Sequence, residues 1–548
     1  MKIGIIGGGL SGTICAKYSL ERGHEPKIFE KTNETGGVYS LIYDRLNYNL
    51  SSSKFMTSFT DMPHDEKTPV WMSLQDFKDY IDLYINKFNL IKYYQFGCQV
   101  INVKTVGKME VIYYYQNETL KMDFFDKVVV CTGLNQNPKF KEISGIHGFR
   151  GLQIHTHDVY TNPKYQNVFK NKKVLILGIG ESSFDIGHEI IKRGGKLYLQ
   201  ADKDVEWFAE GGVEVDKKTA EKYDQCFKKM SPFYSGNKRN INYFVKGQKP
   251  SAPNDTILTR NEYSMTPFLS NMWHGVIAGQ NKLANYDNRC SHGVKELCHN
   301  DKRNIFSKYL VKRTKFLCDI HSNKVKILRG QINFNFNQLY ENGKFIDDID
   351  IIVYATGYRP KLEFLPEKVK NGEFIKNIVS LENPNIAFVG FSRPTMGSIL
   401  IIAETQVMWL MLYFENRLNY QIRKNSFFRN INPQKLDNKL LRHLVIGNYY
   451  MDDLALDMKV KPNLKKYFFT DFKLWYYLFF GMVHPINYRL EGDYYLPQAR
   501  ENVLKIYQKT FELRNDSQNF FAFSFLWLRL IFIVIILIIV VISIKLSS

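Results

Sequence analysis

The sequence predicts an α/β protein with two Rossmann-like dinucleotide-binding domains, the first interrupted by the second, and a C-terminal transmembrane helix. Three observations predict this fold. Residues 3–29 read as strand, glycine turn, helix and strand, and residues 173–199 repeat that order. Residues 520–544 form an almost wholly apolar segment. Two βαβ units of one kind indicate two nucleotide-binding halves rather than a repeat array.

The turn of the first unit carries a dinucleotide fingerprint. Gly7, Gly9 and Gly12 take the glycine positions of G-x-G-x-x-G between a strand and a helix. These glycines allow a tight turn, a close approach of the backbone to a pyrophosphate, and close packing of helix on strand. Glu30, at the tip of the next strand, is placed to accept hydrogen bonds from ribose hydroxyls. Because a carboxylate there repels a 2′-phosphate, the site suits FAD or NAD rather than NADP.

A glycine pair follows the first unit, at Gly36 and Gly37. In two-dinucleotide flavoproteins such a pair approaches the flavin side of the same cofactor, which favours FAD over NAD at the first site. The alternative is an ordinary turn.

The turn of the second unit is a less complete fingerprint. Gly178 and Gly180 hold the first two glycine positions, and Ser183 replaces the third, which mainly serves packing. The following strand ends at Asp202 and Lys203, where the 2′-position of a nicotinamide dinucleotide is read. Asp202 favours NADH and Lys203 favours NADPH, so the sequence leaves the choice of nucleotide open.

Two apolar strands end in the dipeptide Thr-Gly. One runs into Thr132 and Gly133, and the other into Thr356 and Gly357. Glycine at a strand end suits a place where the backbone passes close to a ligand, because no Cβ collides with it.

Composition excludes several other classes. The chain has 548 residues and a formal net charge of +20, but its lysines are spread along the sequence, so we do not expect a nucleic-acid partner. The seven cysteines are scattered without Cys-x-x-Cys spacing. This pattern argues against a disulfide scaffold, a zinc site or a dithiol centre, and favours a reducing, cytosol-facing protein without a metal.

The apolar C-terminal segment predicts a tail anchor. Phe525 to Ile544 supplies the roughly 20 helical residues that a bilayer core requires, and Arg529 lies near one end, where it can reach the headgroups. The alternative is a buried core helix, but residues 530–542 are apolar on every face. No N-terminal signal peptide is expected, so the preceding chain faces the cytosol.

Together these motifs resemble those of the flavin-containing monooxygenases, over residues 1 to about 415. The most specific match is Phe149-Arg150-Gly151-Leu152-Gln153-Ile154-His155, which resembles the family signature F-x-G-x-x-x-H. The aromatic residue that closes the signature falls one position late, at Tyr160. The segment 355–358 resembles the family's A-T-G-Y, and residues 52–56 resemble a stretch beside the flavin. As a signature residue, His155 is interpreted as a structural link between the two domains rather than a general base.

The chain also departs from the family pattern. The family usually has Asn beside the flavin where this chain has Ser51, and a phosphate-reading Arg where it has Asp202. Tyr39 replaces the tryptophan that follows the glycine pair. These changes leave FAD binding intact, and bear on oxygenation and on the preference for NADPH.

The resemblance implies an enzyme that uses FAD, NADPH (with NADH possible) and O2 to oxygenate a soft nucleophile, nitrogen or sulfur, through a flavin C4a-hydroperoxide. It places Ser51 and Ser52 near the reaction centre. It also implies a single-pass membrane protein, most simply of the endoplasmic reticulum, with its catalytic part in the cytosol. Two alternatives remain: an oxidase of the same fold that releases H2O2, and an inactive membrane-tethered flavoprotein. Substrate identity and oligomeric state are not predicted.

The expected domain boundaries follow from these units. They are 1–165 for the first part of the FAD domain, 166–325 for the nicotinamide domain with an irregular insertion, 326–416 for the second part of the FAD domain, 417–519 for an extension of unassigned role, and 520–544 for the anchor.

Overall fold

A computed structural model describes most of the first half, part of the second half and most of the C-terminal extension. The described residues are 1–45, 48–165, 167–201, 205–207, 213–215, 217–218, 221, 243–245, 309–311, 316, 319–320, 323–394, 397–418, 444–445 and 447–516.

Strands outnumber helices among the described residues. The strands are β1 (Lys2–Ile6), β2 (Glu25–Phe29), β3 (Tyr94–Gln95), β4 (Cys98–Val106), β5 (Met109–Gln116), β6 (Thr119–Phe125), β7 (Lys127–Val130), β8 (Asn137–Pro138), β9 (Leu152–His155), β10 (Lys173–Leu177), β11 (Lys196–Gln200), β12 (Val205–Trp207), β13 (Val213–Val215), β14 (Tyr243–Val245), β15 (Tyr309–Val311), β16 (Val325–Leu328), β17 (Ile332–Asn335), β18 (Gln338–Glu341), β19 (Lys344–Asp348), β20 (Ile351–Tyr354), β21 (Tyr358–Arg359), β22 (Phe374–Ile375), β23 (Val379–Ser380), β24 (Ile386–Phe388), β25 (Arg393–Pro394) and β26 (Leu444–Val445). The helices are α1 (Leu10–Glu21), α2 (Val38–Leu41), α3 (Leu74–Lys87), α4 (Thr156–Thr161), α5 (Glu181–Lys192), α6 (Glu367–Asn371), α7 (Ile399–Phe414), α8 (Gly447–Asp457), α9 (Leu464–Thr470), α10 (Phe472–Phe480) and α11 (Ala499–Asp516).

Two parallel sheets organise the molecule. The first has the order β22-β23-β24-β7-β1-β2-β3, with β24 to β3 parallel. The second has the order β16-β11-β10-β20-β9 and is parallel throughout. Their central strands β1, β7, β10 and β20 are apolar over almost their whole length, because both faces of a parallel strand are covered. This is the mixed α/β fold that the sequence predicts.

The two sheets repeat one connection pattern. Strands β1, β2, β3 and β7 follow each other in the first sheet as β10, β11, β16 and β20 do in the second. In each half a three-stranded antiparallel sheet, β4-β5-β6 or β17-β18-β19, precedes the last of these strands. The repeat confirms two related halves.

The second sheet draws strands from both sides of the expected domain boundaries. Strand β9 precedes residue 166 and β20 follows residue 325, yet the two pair in parallel. Apolar patterning identifies a buried parallel strand but not its neighbours in the sheet, so the sequence gives no sign of this exchange.

Helix α7 is buried on nearly every side. Only Ile399 and Tyr413 are not fully buried among its residues, and it packs between α1 and α8. It begins at Ile399, where the side chain of the preceding Ser398 accepts a hydrogen bond from the Leu400 N–H and caps the first turn.

The C-terminal extension shares the hydrophobic core of the first half. Tyr450, Leu478 and Tyr507 belong to the same buried cluster as Ile5 and Trp409. Residues 447–516 therefore form part of the first half rather than a separate domain.

No described helix combines the length and apolar character needed to cross a bilayer. The expected anchor at 520–544 lies outside the described residues.

Candidate dinucleotide sites

The first glycine turn lies at the carboxyl end of β1. Gly7 has a φ of 106°, and a Cβ there would stand 2.7 Å from the carbonyl oxygen of Cys131, at the end of β7. A Cβ on Gly12 would stand 2.0 Å from the oxygen of Gly7. Gly9 is the residue before α1. Any larger residue at Gly7 or Gly12 would displace the backbone. Both positions of the predicted phosphate-binding turn therefore require glycine.

Glu30 faces this turn. Its carboxylate accepts the backbone N–H of Gly8 at 2.8 Å and the backbone N–H of Thr32 at 2.8 Å, and the side chain is buried. Glu30 thus fixes the turn, and it lies at the strand end where the dinucleotide-binding motif has its acidic residue.

Tyr94 is a contributor that the sequence analysis missed. Its hydroxyl contacts the carbonyl oxygen of Gly8 at 3.1 Å and the hydroxyl of Thr13 at 2.7 Å, and its ring occupies the space a Cβ on Gly8 would need. It lies on the two-residue strand β3, which has no pattern that a sequence could reveal.

The glycine pair contacts the first turn. A Cβ on Gly37 would stand 2.9 Å from the Cα of Gly9. A Cβ on Gly36 would stand 2.5 Å from the side chain of Lys78, whose ammonium pairs with Asp82 at 2.5 Å. The two glycine segments, which are separate motifs in the sequence, thus lie together and line one cradle.

Ser51 and Ser52 lie near the start of α7. The Ser52 hydroxyl donates to the carbonyl oxygen of Gly397 at 2.9 Å, and Ser52 is buried while Ser51 is half-buried. Gly397 directly precedes the capping residue Ser398. The structure therefore brings Ser52 to the N-terminal end of a long helix, where the helix dipole is positive.

The second glycine turn repeats the geometry of the first. Gly178 has a φ of 107°, and a Cβ there would stand 2.6 Å from the carbonyl oxygen of Ala355, at the end of β20. Gly180 precedes α5, and the buried hydroxyl of Ser183 donates to the Gly180 carbonyl. Lys203 and its neighbour Asp202 lie outside the described residues.

Thr356 and Gly357 join the second turn to the segment between the two halves. The Thr356 hydroxyl donates to the carbonyl oxygen of Lys139, and the Lys139 N–H donates to the carbonyl oxygen of Gly357 at 2.9 Å. Strand β21 then pairs with β8. These bonds fix the second site to the connection that leaves the first.

His155 belongs to the same junction. Its Nε2 lies 3.1 Å from the Gly357 carbonyl oxygen, and its Nδ1 accepts the backbone N–H of His157 at 3.0 Å. Nδ1 as acceptor makes Nε2 the donor. Burial lowers the pKa of His155 to about 4, so the ring is neutral at physiological pH. The structure gives His155 the geometry of a structural link.

A buried ion cluster lies behind the first site. Arg489, from the extension, lies 3.5 Å from the carboxylate of Asp61, which also pairs with Lys17 of α1. All three side chains are at most 8% exposed. The sequence analysis missed this cluster, because its members are far apart in the chain.

The cluster continues to α7. The Arg489 guanidinium donates to the hydroxyls of Tyr18 at 3.1 Å and Thr60 at 2.9 Å, and both hydroxyls donate to Glu404, at 2.9 and 2.6 Å. Burial, and next the charge of Asp61, raise the pKa of Glu404 to about 7. Charged side chains and the hydrogen bonds between them thus hold the extension against α1, α7 and the segment after Ser52.

The two sites fit dinucleotides. Each has a glycine turn whose missing Cβ atoms leave a backbone cradle at the carboxyl end of a parallel sheet, with a helix N-terminus beside it. The fold and these turns are those expected of a protein that binds two dinucleotides.

The sequence model of the family described as flavin-binding monooxygenase-like matches residues 1–215 and 249–545. The chain therefore belongs to that family, and the resemblance drawn from its motifs is confirmed. It is an oxidoreductase of the flavin-containing monooxygenase type.

Named relatives are similar over most of their length. Flavin-containing monooxygenase 5 of Cavia porcellus is 29% identical, over 93% of this chain and 92% of the relative. Dimethylaniline monooxygenase (N-oxide-forming) 2 of Oryctolagus cuniculus is 28% identical, over 90% and 89%.

Solved structures share the fold. OTEMO in complex with FAD and NADP has a TM-score of 0.59 at 14% identity, over 83% of this chain and 97% of that one. The S-allyl-L-cysteine S-oxygenase of Allium sativum has a TM-score of 0.55 at 16% identity, over 93% and 98%.

Proposed function

We propose that this protein is a monooxygenase that uses FAD, a nicotinamide dinucleotide and O2 to oxygenate a nitrogen or sulfur nucleophile of a small molecule. The observation that carries the proposal is the pair of like glycine turns, one at the carboxyl end of each sheet. Relatives named for N-oxide formation and S-oxygenation support the substrate class.

FAD is assigned to the first half. Gly7, Gly9 and Gly12 would receive its pyrophosphate, Glu30 its ribose, and the Gly36–Gly37 pair would lie along the same cofactor. FAD bound there would supply the redox chemistry that links the nicotinamide, O2 and the nucleophile. The chain's own part is to bind, orient and exclude water.

The nicotinamide dinucleotide is assigned to the second half. Gly178, Gly180 and Ser183 would receive its pyrophosphate, and Thr356 and Gly357 would hold the neighbouring backbone in place. Lys203 would add positive charge at the 2′-position. NADPH is the expected nucleotide, with NADH as the alternative.

Ser51 and Ser52 are assigned to the reaction centre. The Ser52 hydroxyl is committed to the Gly397 carbonyl, so its role would be to hold the chain beside the N-terminus of α7. Ser51, where the family has Asn, would offer one hydroxyl from a shorter reach. Weaker control of the activated oxygen at this position favours an H2O2-releasing oxidase as the second candidate.

A tail anchor is also proposed for residues 520–544, with the enzyme on the cytosolic face of the endoplasmic reticulum. Its support is the almost wholly apolar run in the sequence, which is long enough to span a bilayer core.

The test follows NADPH and NADH consumption by the FAD-loaded full chain in detergent under air. H2O2 is quantified alongside, with and without a thioether or a tertiary amine. A monooxygenase releases little peroxide while substrate lasts and yields the sulfoxide or N-oxide. Peroxide that matches nucleotide consumption regardless of additive identifies the oxidase. If neither nucleotide reduces the flavin, both proposals fail and an inactive flavoprotein remains.

A further inference from the structure

The three-stranded sheet β4-β5-β6 of the first half has one covered edge and one open edge. At the β4 edge, the N–H of Cys98 donates to the carbonyl oxygen of Glu30 at 2.8 Å. The N–H of Val103 donates to that of Phe364, also at 2.8 Å. At the other edge, β6 pairs with β5 and makes no other backbone–backbone hydrogen bond to any described residue. The free N–H and C=O groups of such an edge are a template for another strand.

The open strand is apolar on its outer face. Leu120, Met122 and Phe124 alternate along β6 and are 54%, 53% and 44% exposed. They share this face with Tyr115 of β5, which lies opposite Leu120 and is also exposed. Exposed apolar side chains beside unpaired backbone groups indicate a surface that binds another protein strand.

The inner face of β6 carries two charges of opposite sign. Lys121 and Asp123 stand on either side of Met122. Lys121 is exposed, and the half-buried Asp123 pairs with Lys27 at 2.8 Å. Charges of one sign along an edge would repel a second copy of the same strand. Unlike charges two residues apart can instead complement each other across a two-fold axis.

The sequence of β6 is self-complementary in one antiparallel register. When two copies are centred on Met122, residue 121 of each copy lies opposite residue 123 of the other, and residue 120 lies opposite residue 124. Lys121 then faces Asp123 twice, and Leu120 faces Phe124 twice. Both kinds of cross-strand pair are favourable. Centring the two strands on residue 121 or 123 would instead set like charges directly opposite each other.

We propose that the open edge of β6 binds the β6 strand of a second copy of this chain, in the register centred on Met122, and forms a two-fold symmetric dimer. The two three-stranded sheets then join into one antiparallel sheet, in which the free backbone groups of both edges are paired. The exposed apolar side chains of the two strands form one continuous strip. Strand β6 contains no residue of either glycine turn, so the dimer is independent of the proposed oxygenation.

The test measures the mass of the full chain in detergent by sedimentation equilibrium. Wild type is expected to dimerise reversibly. Lys121→Asp and Asp123→Lys should each raise the dimer dissociation constant at least about tenfold, because both charged pairs across the axis then join like charges. An equimolar mixture of the two variants should dimerise to within about threefold of wild type, because each pair between unlike variants again joins opposite charges.

Lys104→Asp is the matched control, because Lys104 is exposed on β4, the strand at the covered edge of the same sheet. It should leave the dissociation constant unchanged. A mixture that dimerises no better than either variant alone would overturn the proposal. So would a dimer that neither variant weakens, or a wild-type chain that stays monomeric up to about 100 μM.

Hydrogen exchange on wild type alone gives a second readout that does not depend on how the variants fold. The backbone amides of residues 119–125 should exchange more slowly as the protein concentration rises through the dissociation constant. Exchange that is slow at every concentration would show that another segment of the same chain covers the edge, and would overturn the proposal.

Discussion

Single residues at the two glycine turns are constrained by backbone rather than by side chains. Gly7 and Gly178 each face the carbonyl oxygen of a neighbouring strand, at 2.7 and 2.6 Å from a Cβ. A side chain there cannot rotate away, because the Cβ itself collides. Glu30 and Tyr94 add bonds to Gly8 in the first turn. These bonds fix the first turn in addition to the steric constraint on its glycines.

Glu30→Ala is expected to weaken FAD binding about ten- to hundredfold, because a buried N–H of Gly8 loses a charged acceptor and the ribose loses its partner. FAD affinity is read from flavin fluorescence quenching. Glu25→Ala, at the exposed start of the same strand, is the control and should bind FAD as wild type does. Equal FAD affinities for the two variants would contradict the role of Glu30.

Glu404→Gln is expected to flatten the pH dependence of stability. The pKa of Glu404 is about 7 in the folded chain, above its ordinary value of 4.5. Its contribution is therefore fully present below pH 4.5 and is lost as the pH rises through 7, by on the order of 3 kcal/mol. Glutamine keeps an acceptor for Thr60 and Tyr18 but does not titrate.

Urea unfolding of the FAD-loaded protein between pH 5 and pH 8 measures this effect. Glu404→Gln should gain on wild type in unfolding free energy as the pH rises. A difference that stays constant across the range would show that Glu404 does not titrate there.

At the scale of elements, the junction between the halves is built from short pieces. Strands β8 and β21 have two residues each, and the bonds of Lys139, Thr356 and His155 extend their contact. Such a junction can fix the position of one half relative to the other through a small interface. It holds the second glycine turn at a set place relative to the first.

His155→Gln is expected to raise the half-saturating nicotinamide concentration a few-fold and to leave the pH profile of flavin reduction unchanged from pH 6 to 9. Burial holds the pKa of His155 near 4, so no proton moves on this ring in that range. Glutamine can still donate to Gly357. Stopped-flow flavin reduction across pH measures both quantities. A loss of about a hundredfold in rate, with a flattened profile, would instead identify a general base.

Elements with strong local patterns were predictable, and those defined by distant partners were not. The turns at Gly7 and Gly178, the helices after them and the strand before Thr356 follow from glycine spacing and apolar runs. The exchange of β9 into the second sheet depends on pairing that local sequence does not encode. The contact of Ser52 with Gly397 joins residues 345 positions apart and leaves no trace in either segment.

At the scale of the whole molecule, the C-terminal extension completes the first half. Arg489 balances Asp61 in the interior, and the hydroxyl of Tyr494 donates to the carbonyl oxygen of Met408 at 2.7 Å. The sequence assigned no role to the extension. Its aromatic residues, such as Tyr450 and Tyr507, belong to the shared hydrophobic core. Removing Arg489 would take away one of the two cations that face Asp61 and would destabilise the first half, because a buried charge is costly to leave under-compensated.

Truncation after Asn519 is expected to release the protein from membranes without loss of FAD or turnover. The described extension ends at Asp516 of α11, and the shared core lies before it. Fractionation after a carbonate wash compares the truncated and full chains. A truncated chain that stays in the membrane pellet would contradict the tail anchor, and one that loses FAD would show that residues 520–548 support the first half.

The central claim is that the first glycine turn binds FAD and the second binds the nicotinamide dinucleotide. Matched substitutions at Gly7 and Gly178 test this claim most directly. FAD content and anaerobic flavin reduction by NADPH are measured for wild type, Gly7→Ala and Gly178→Ala, with dithionite as the chemical reductant. Gly7→Ala should lose FAD. Gly178→Ala should retain FAD and be reduced normally by dithionite, but at least about tenfold more slowly by NADPH, because only the nicotinamide turn is displaced. Loss of FAD in Gly178→Ala with retention in Gly7→Ala, or wild-type reduction of Gly178→Ala by NADPH, would contradict the assignment of the two sites.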